Sequence, residues 1–352
     1  DCLLSRGLGD VYKRQLIKQT IMKKILLAAV AALAIVGCSQ NEEIEKAGEK
    51  AKINFGAVVS NATRANIVNN ADFKSFKVYG YKTATKIGPD VTLGEFMPGV
   101  VVNKKDVNKW EYTSGPYYWP TTGFVQFFSV SPEQTLTVTT NYPHFDYTVG
   151  EIGDQKDLLA ANLIDKNKDA GDLQLPFCHL LTQVNFSIKG EVGFTYTLTK
   201  LELTGVKDQG TFTFDGSKTA GTWTEVKVSA TPTVYAYTGS VELISNADAD
   251  VSNLDQSTAA LFMLLPQAIA ADAVKVKVTY SAKVTEEGGN GQSTLEDGVK
   301  EVSLPAITWE KGKRVRYTLS LTSDAAQVTF GEPEWGEWSD AEPQADPITP
   351  VK

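Results

Sequence analysis

Residues 315–321 read Val-Arg-Tyr-Thr-Leu-Ser-Leu. Apolar side chains at 315, 317, 319 and 321 alternate with polar ones at 316, 318 and 320. That period of two is the signature of a strand with one face on a core. The same alternation returns at 274–280 (Val-Lys-Val-Lys-Val-Thr-Tyr), 76–81 (Phe-Lys-Val-Tyr-Gly-Tyr) and 125–130 (Val-Gln-Phe-Phe-Ser-Val). Shorter versions stand at 136–139, 184–188, 198–203, 210–214, 226–228, 234–237 and 328–330. Val, Thr, Tyr and Phe dominate these runs, as strands prefer. Turn residues separate them at Asp215-Gly216, Gly239-Ser240 and Glu287-Gly288-Gly289-Asn290-Gly291. No long helical period follows the first 37 residues, and short helical turns are expected only near 156–164 and 254–261. Many short strands with frequent turns predict an all-β sandwich architecture.

The polar, glycine-containing stretch 165–175 (Asp-Lys-Asn-Lys-Asp-Ala-Gly-Asp-Leu-Gln-Leu) is the expected domain boundary. It divides the chain into β-sandwiches at 53–170 and 171–340. Residues 341–352 carry three prolines and are expected to be an extended or disordered tail. Apolar residues make up 42% of the chain and aromatics 10%, enough for cores of that size.

Composition also narrows the function. A formal charge of −8 leaves no electrostatic footprint for nucleic acid. Cys2, Cys38 and Cys178 are far apart, so a disulfide framework is not expected. Two histidines, His144 and His179, are too few for a histidine-rich zinc site. Cys178 and His179 are neighbours, and on a strand they would face opposite ways, poor geometry for a catalytic pair. Asp165, Asn167 and Asp169 alternate like a calcium loop. Ala170 and Pro176 stand where such a loop needs Gly and Glu, so the match is a coincidence. Asp146 with Glu151, and Glu286 with Glu287, read as solvated loop carboxylates rather than catalytic pairs. No enzyme activity and no cofactor is expected.

The N-terminal region reads as an export signal. Met22, Lys23 and Lys24 open it, Ile25 to Val36 form an apolar run, and Ile35-Val36-Gly37-Cys38 closes it. The run is too short to span a bilayer. Residues 1–21, ahead of Met22, are read as a non-native upstream artefact. The closing tetrapeptide resembles the bacterial lipobox, in which Cys38 becomes the lipidated first residue. Several acyl chains on one residue anchor stably, because each buried CH₂ contributes about 0.8 kcal/mol. Residues 38–52 form a polar tether, and the acidic pair Glu42-Glu43 resembles a signal that sends lipoproteins to the outer face. Then comes an alternating strand, Ile53 to Ser60. A polar loop with Arg64 at its centre follows, and exposure of that loop would let a trypsin-like protease cut after Arg64.

Five passages together resemble the fimbrillin family, subunits of type V pili and their relatives. The first is the lipobox with the strand and the Ala62-Thr63-Arg64-Ala65 loop. The second is Tyr117-Tyr118-Trp119-Pro120 followed by Phe127-Phe128-Ser129-Val130-Ser131-Pro132. The third is Asp157-Leu158-Leu159-Ala160-Ala161 with Leu175-Pro176-Phe177-Cys178-His179-Leu180-Leu181-Thr182-Gln183-Val184. Leu264-Leu265-Pro266-Gln267 and Ile307-Thr308-Trp309-Glu310-Lys311-Gly312 complete the set. The resemblance implies two transthyretin-like β-sandwiches and assembly by strand exchange. A protease cuts after Arg64, the strand Ile53–Ser60 leaves, and a strand from another pilus subunit fills its groove. Ile53, Phe55, Ala57 and Val59 share one face of that strand and would fill the pockets. The expected setting is the cell outer membrane and a pilus, in a role of adhesion to a host or bacterial surface ligand. Shaft, anchor and tip roles remain open. The alternative is a surface glycan-binding lipoprotein that stacks sugars on Trp110, Tyr112, Tyr117, Tyr118 and Trp119. Such a cluster reads more readily as core packing, and His179, between Phe177 and Leu181, as a structural histidine.

Overall fold

The structure is a computed structural model that describes residues 52–59, 73–106, 109–139, 142–256, 261–286 and 291–337. Residues 1–53 and 54–352 separate as two compact units. Strand is the dominant regular structure of the second, and its few described helices are single turns of three residues, so the chain is all-β.

A seven-stranded sheet comes first. Its order is β1 (Phe55–Val59), β9 (Leu173–His179), β8 (Leu159–Lys166), β5 (Phe124–Ser131), β2 (Ser75–Thr83), β3 (Gly94–Asp106) and β4 (Lys109–Tyr112). A four-stranded sheet runs β13 (Gly221–Lys227), β12 (Gln209–Phe214), β7 (Pro143–Thr148), β6 (Thr137–Val138). A second runs β14 (Tyr235–Ser245), β11 (Phe194–Thr204), β18 (Lys275–Val284), β19 (Ser293–Ser303). The six-stranded sheet centres on β10 (Thr182–Gly190) and β21 (Lys313–Leu321), which pair in parallel from Gln183↔Arg314 to Gly190↔Leu321. On its flanks lie β15 (Ser252–Asn253) and β16 (Phe262–Leu264) beside β10, and β22 (Val328–Phe330) and β23 (Glu334–Glu337) beside β21. A two-stranded ribbon joins β17 (Ala268–Ile269) to β20 (Ile307–Thr308). Strands from either side of residue 170 share sheets: β9 extends the first, and β7 pairs with β12.

The alternation that opened the reading maps onto burial. Val315, Tyr317, Leu319 and Leu321, and Val274, Val276, Val278 and Tyr280, all lie in one core. Phe186 stacks on Tyr317 with ring centroids 5.7 Å apart. β2 and β5 are buried on both faces. Tyr79, Tyr81, Phe128 and Val130 join the large core, while Phe76, Val78, Val125 and Phe127 alternate to the opposite face.

Two local expectations are corrected. The helical turn near 156–164 is instead strand β8, paired with β5 and β9, because burial in a central strand overrides its Leu-Ala-Ala helix propensity. The turn at Gly239-Ser240 is instead a bulge inside β14. Leu198 pairs with Val241 and Lys200 with Thr238, so both residues oppose Thr199. The short helix Leu254–Gln256 falls where the second helical turn was expected.

Three of the family-like passages meet where β9 becomes β10. The Leu180 N–H donates to Leu158 C=O, and Gly312 N–H to Leu181 C=O. The Thr182 hydroxyl donates to Glu310 C=O and the Trp223 indole to Leu180 C=O. Gln267 and Trp309 exchange both backbone hydrogen bonds, and Leu264 pairs with Thr182. Motifs far apart in sequence therefore form one buried joint.

Candidate functional site: the N-terminal strand and its groove

β1 lies at the end of the seven-stranded sheet, parallel to β9, in register from Phe55↔Leu173 to Val59↔Phe177. Among the described residues no strand pairs with its other edge. The Leu173 N–H donates to the Asn54 carbonyl at 2.9 Å. That bond fixes the parity of the ladder, because neighbouring residues of a strand point their backbone groups to opposite sides. Leu173, Leu175 and Phe177 therefore turn their backbone groups toward β1. Pro176, which has no N–H, faces away from β1, so its presence costs the β1 ladder no bond.

Of the four expected pocket residues, Phe55, Ala57 and Val59 stand at alternate positions of β1. Ile53 and Val59 are buried, Phe55 is 7% exposed and Ala57 is half-buried, whereas Val58 on the opposite face is 51% exposed. Phe55 is the anchor. Its ring meets Phe127 at 5.3 Å, Tyr112 at 5.9 Å and Phe76 at 6.3 Å, each nearly edge to face. These partners come from β5, β4 and β2. Since β1 and β4 are opposite ends of the sheet, Phe55 ties the two ends of a curled sheet together. Around this seat Phe177 packs on Phe73 and Phe76, and Trp110 on the same two rings. Outside, the Gln174 side chain lies across Gly56, and the Asn54 amide donates to Asp172 at 3.2 Å. Cys38, Arg64 and Ala65 lie outside the described residues, as do the signal and the tether up to residue 51.

The other singled-out residues are structural. Trp119 is buried against Phe127, and Tyr112 and Tyr117 pack edge to face, so the aromatic cluster is packed rather than a flat platform; Tyr118 alone is exposed. His179 is buried with Nδ1 2.8 Å from Asp157. The Cys178 thiol points to the Ala160 carbonyl, and burial pushes it up to about 11, so it stays protonated and unreactive at neutral pH. Asp165 accepts from Ile87 N–H and from the Gln126 amide, and Asn167 caps a short helix by accepting from Asp169 N–H. Asp146 accepts from the Thr211 hydroxyl. Among the described residues no group of three His, Cys, Asp or Glu could hold a metal, and no helix is long and apolar enough to cross a membrane. Burial depresses the Lys311 ammonium, which donates to the Thr219 and Gly221 carbonyls and clasps the β12–β13 hairpin.

The fold is shared with a crystal structure of a fimbrial protein from Bacteroides vulgatus. The TM-score is 0.63 at 19% identity, over 82% of this chain and 99% of that one. In sequence the chain is 26% identical to the fimbrium subunit Fim1C of Phocaeicola vulgatus, over 90% of this chain and 97% of the relative. The family model described as fimbrillin-like matches residues 63–338, and the chain belongs to that family.

Proposed function

We propose that this chain is a structural subunit of a cell-surface pilus that serves adhesion, completed by strand exchange at the β1 groove. It is exported as a lipoprotein, lipidated at Cys38 and held at the outer membrane. A trypsin-like protease cuts between Arg64 and Ala65, and β1 then leaves with Ile53, Phe55, Ala57 and Val59. The observation that carries this reading is the placement of β1: an edge strand, parallel to β9, with a buried apolar face and no hairpin tying it to its neighbour. The departure of β1 would bare the backbone groups of Leu173, Leu175 and Phe177 and an apolar slot, which is an edge that invites another strand. An exchange of this kind joins one surface to a different one, so it propagates as a filament. Family membership and the Phocaeicola vulgatus relative, a fimbrium subunit of nearly the same extent, support the same reading.

The test is limited trypsin digestion of purified residues 39–352. The expected result is an N-terminal piece ending at Arg64, intact sheets, and a ladder of oligomers on gels run without boiling. A cut protein that stays monomeric at high concentration sinks the shaft role. Cells expressing an Arg64→Ala chain should lack the filaments seen by electron microscopy with the unaltered chain.

A further inference from the structure

We propose that the Phe55 seat is an aromatic-selective socket that chooses which strand may replace β1. The proposal rests on the strand-exchange reading above and adds the chemistry of the partner: an extended segment of another subunit chain, aligned along β9, with an aromatic residue at the position of Phe55.

Most of β1 discriminates weakly. Its backbone bonds to β9 accept any sequence that can be extended. On the outer face, Val58 is half in solvent, and the group above Gly56 is the flexible end of Gln174, which can move aside. On the inner face, Ala57 is small and only half-buried, and Ile53 and Val59 are buried aliphatic side chains, whose apolar burial is not directional. Selection is therefore concentrated at Phe55.

The walls of that seat are flat and rigid. Three rings stand at 77–88° to the Phe55 plane, so each presents an edge or a face that matches the electrostatics of another ring. A branched aliphatic side chain fills some of the volume but makes none of these oriented contacts. The walls are themselves held: Phe76 is packed against Phe73 and Trp110, Phe127 against Trp119, and Tyr112 against Tyr117. The socket bridges β2, β4 and β5, so an aromatic occupant also restores the tie between the two ends of the sheet.

The experiment uses full-length protein nicked after Arg64, with β1 still seated. It is challenged with labelled nine-residue peptides of the sequence 52–60, and exchange is read by fluorescence anisotropy. The unaltered peptide should exchange in. A Phe55→Ala peptide should bind about thirtyfold more weakly or worse, as for a central interface anchor. A Phe55→Leu peptide should bind roughly two- to tenfold more weakly, the value of the oriented ring contacts. A Val58→Ala peptide should match the unaltered one. On protein carrying Tyr112→Leu, the preference for Phe over Leu should shrink. Equal binding of the Phe55, Ala and Leu peptides overturns the socket and leaves strand exchange standing. Failure of every peptide to enter overturns strand exchange and the socket with it.

Discussion

Asp208 shows how a single carboxylate organises a loop. It is fully buried and accepts from Ser229 N–H at 2.6 Å, the Ser229 hydroxyl at 2.8 Å and Thr233 N–H at 3.1 Å. Burial alone would raise its pKa, but these donors outweigh that and hold it below the usual carboxylate range. A group depressed in the folded state stabilises fully above its unfolded value. That contribution falls away as pH drops through the folded value. Asp208→Asn keeps the shape but turns one acceptor into a donor facing N–H groups. It should cost about 1–3 kcal/mol in urea titrations at pH 7, and the gap from the unaltered protein should narrow below pH 4. A gap that does not change with pH would mean the carboxylate charge plays no part. Asn185 makes the opposite case. It is fully buried on β10, and neither amide atom has a hydrogen-bond partner among the described residues. An orphaned polar group of this kind opposes folding. Asn185→Val should therefore raise stability by about 1 kcal/mol, measured as a higher melting temperature. A loss instead would show that the site requires a polar side chain. Neither role is legible in sequence, where Asp208 and Asn185 are ordinary polar residues. The inward face of β1 is legible, because alternation alone assigns Ile53, Phe55, Ala57 and Val59 to one side.

At the scale of elements, the strands that sequence reveals are those with one wet face, such as β11, β18 and β21. Strands that hide have physical reasons for it. β3 contains Pro98 and Gly99, with φ of +89° at Gly99, and the pairing of β2 with it shifts register there. β19 is an exposed edge with few apolar residues and a positive φ at Asp297. β8 is buried for half its length and shows no alternation. The crossover between β15 and β16 is an element held by charge. Arg316 on β21 grips Asp255 through both terminal guanidinium nitrogens, at 2.7 and 3.2 Å, and also donates to Ser187 on β10. Asp255 is almost wholly buried and Arg316 largely so. Asp255→Ala would leave a largely buried cation without its carboxylate, and should cost about 3–5 kcal/mol. Replacing both partners with apolar residues, as in Asp255→Leu with Arg316→Met, should recover most of that loss. If the double variant is as unstable as the single one, the pair contributes more than the desolvation it offsets.

On the scale of the whole molecule, the hidden information is pairing at long range. Neither the parallel match of β1 with β9 nor that of β10 with β21 follows from local pattern, because period two tells which face is buried but not which strand lies alongside. The fold has two apolar regions that share strands. One is the ring cluster around Phe55, Phe76, Phe127 and Phe177, and the other is the large core that runs through Tyr79, Phe128, Phe186, Tyr280 and Tyr317. β2 and β5 serve both, one face each. Under the proposed strand exchange, a subunit that gives up one strand and accepts another must survive the interval, which requires the large core to stand while the smaller region loosens. Phe55→Ala mimics the start of that interval in the intact chain. Truncating a buried Phe costs about 3–5 kcal/mol when the surroundings cannot relax, and a local opening spends only the part of the fold that opens. Amide hydrogen exchange measured by mass spectrometry should therefore speed up in β9 and β4, which lose the tie across the sheet. β11 and β18, which lie in the other core, should keep their protection. Uniform acceleration through β11 and β18 would mean that the two regions unfold as one, and that no acceptor state with an empty groove could persist long enough to be filled.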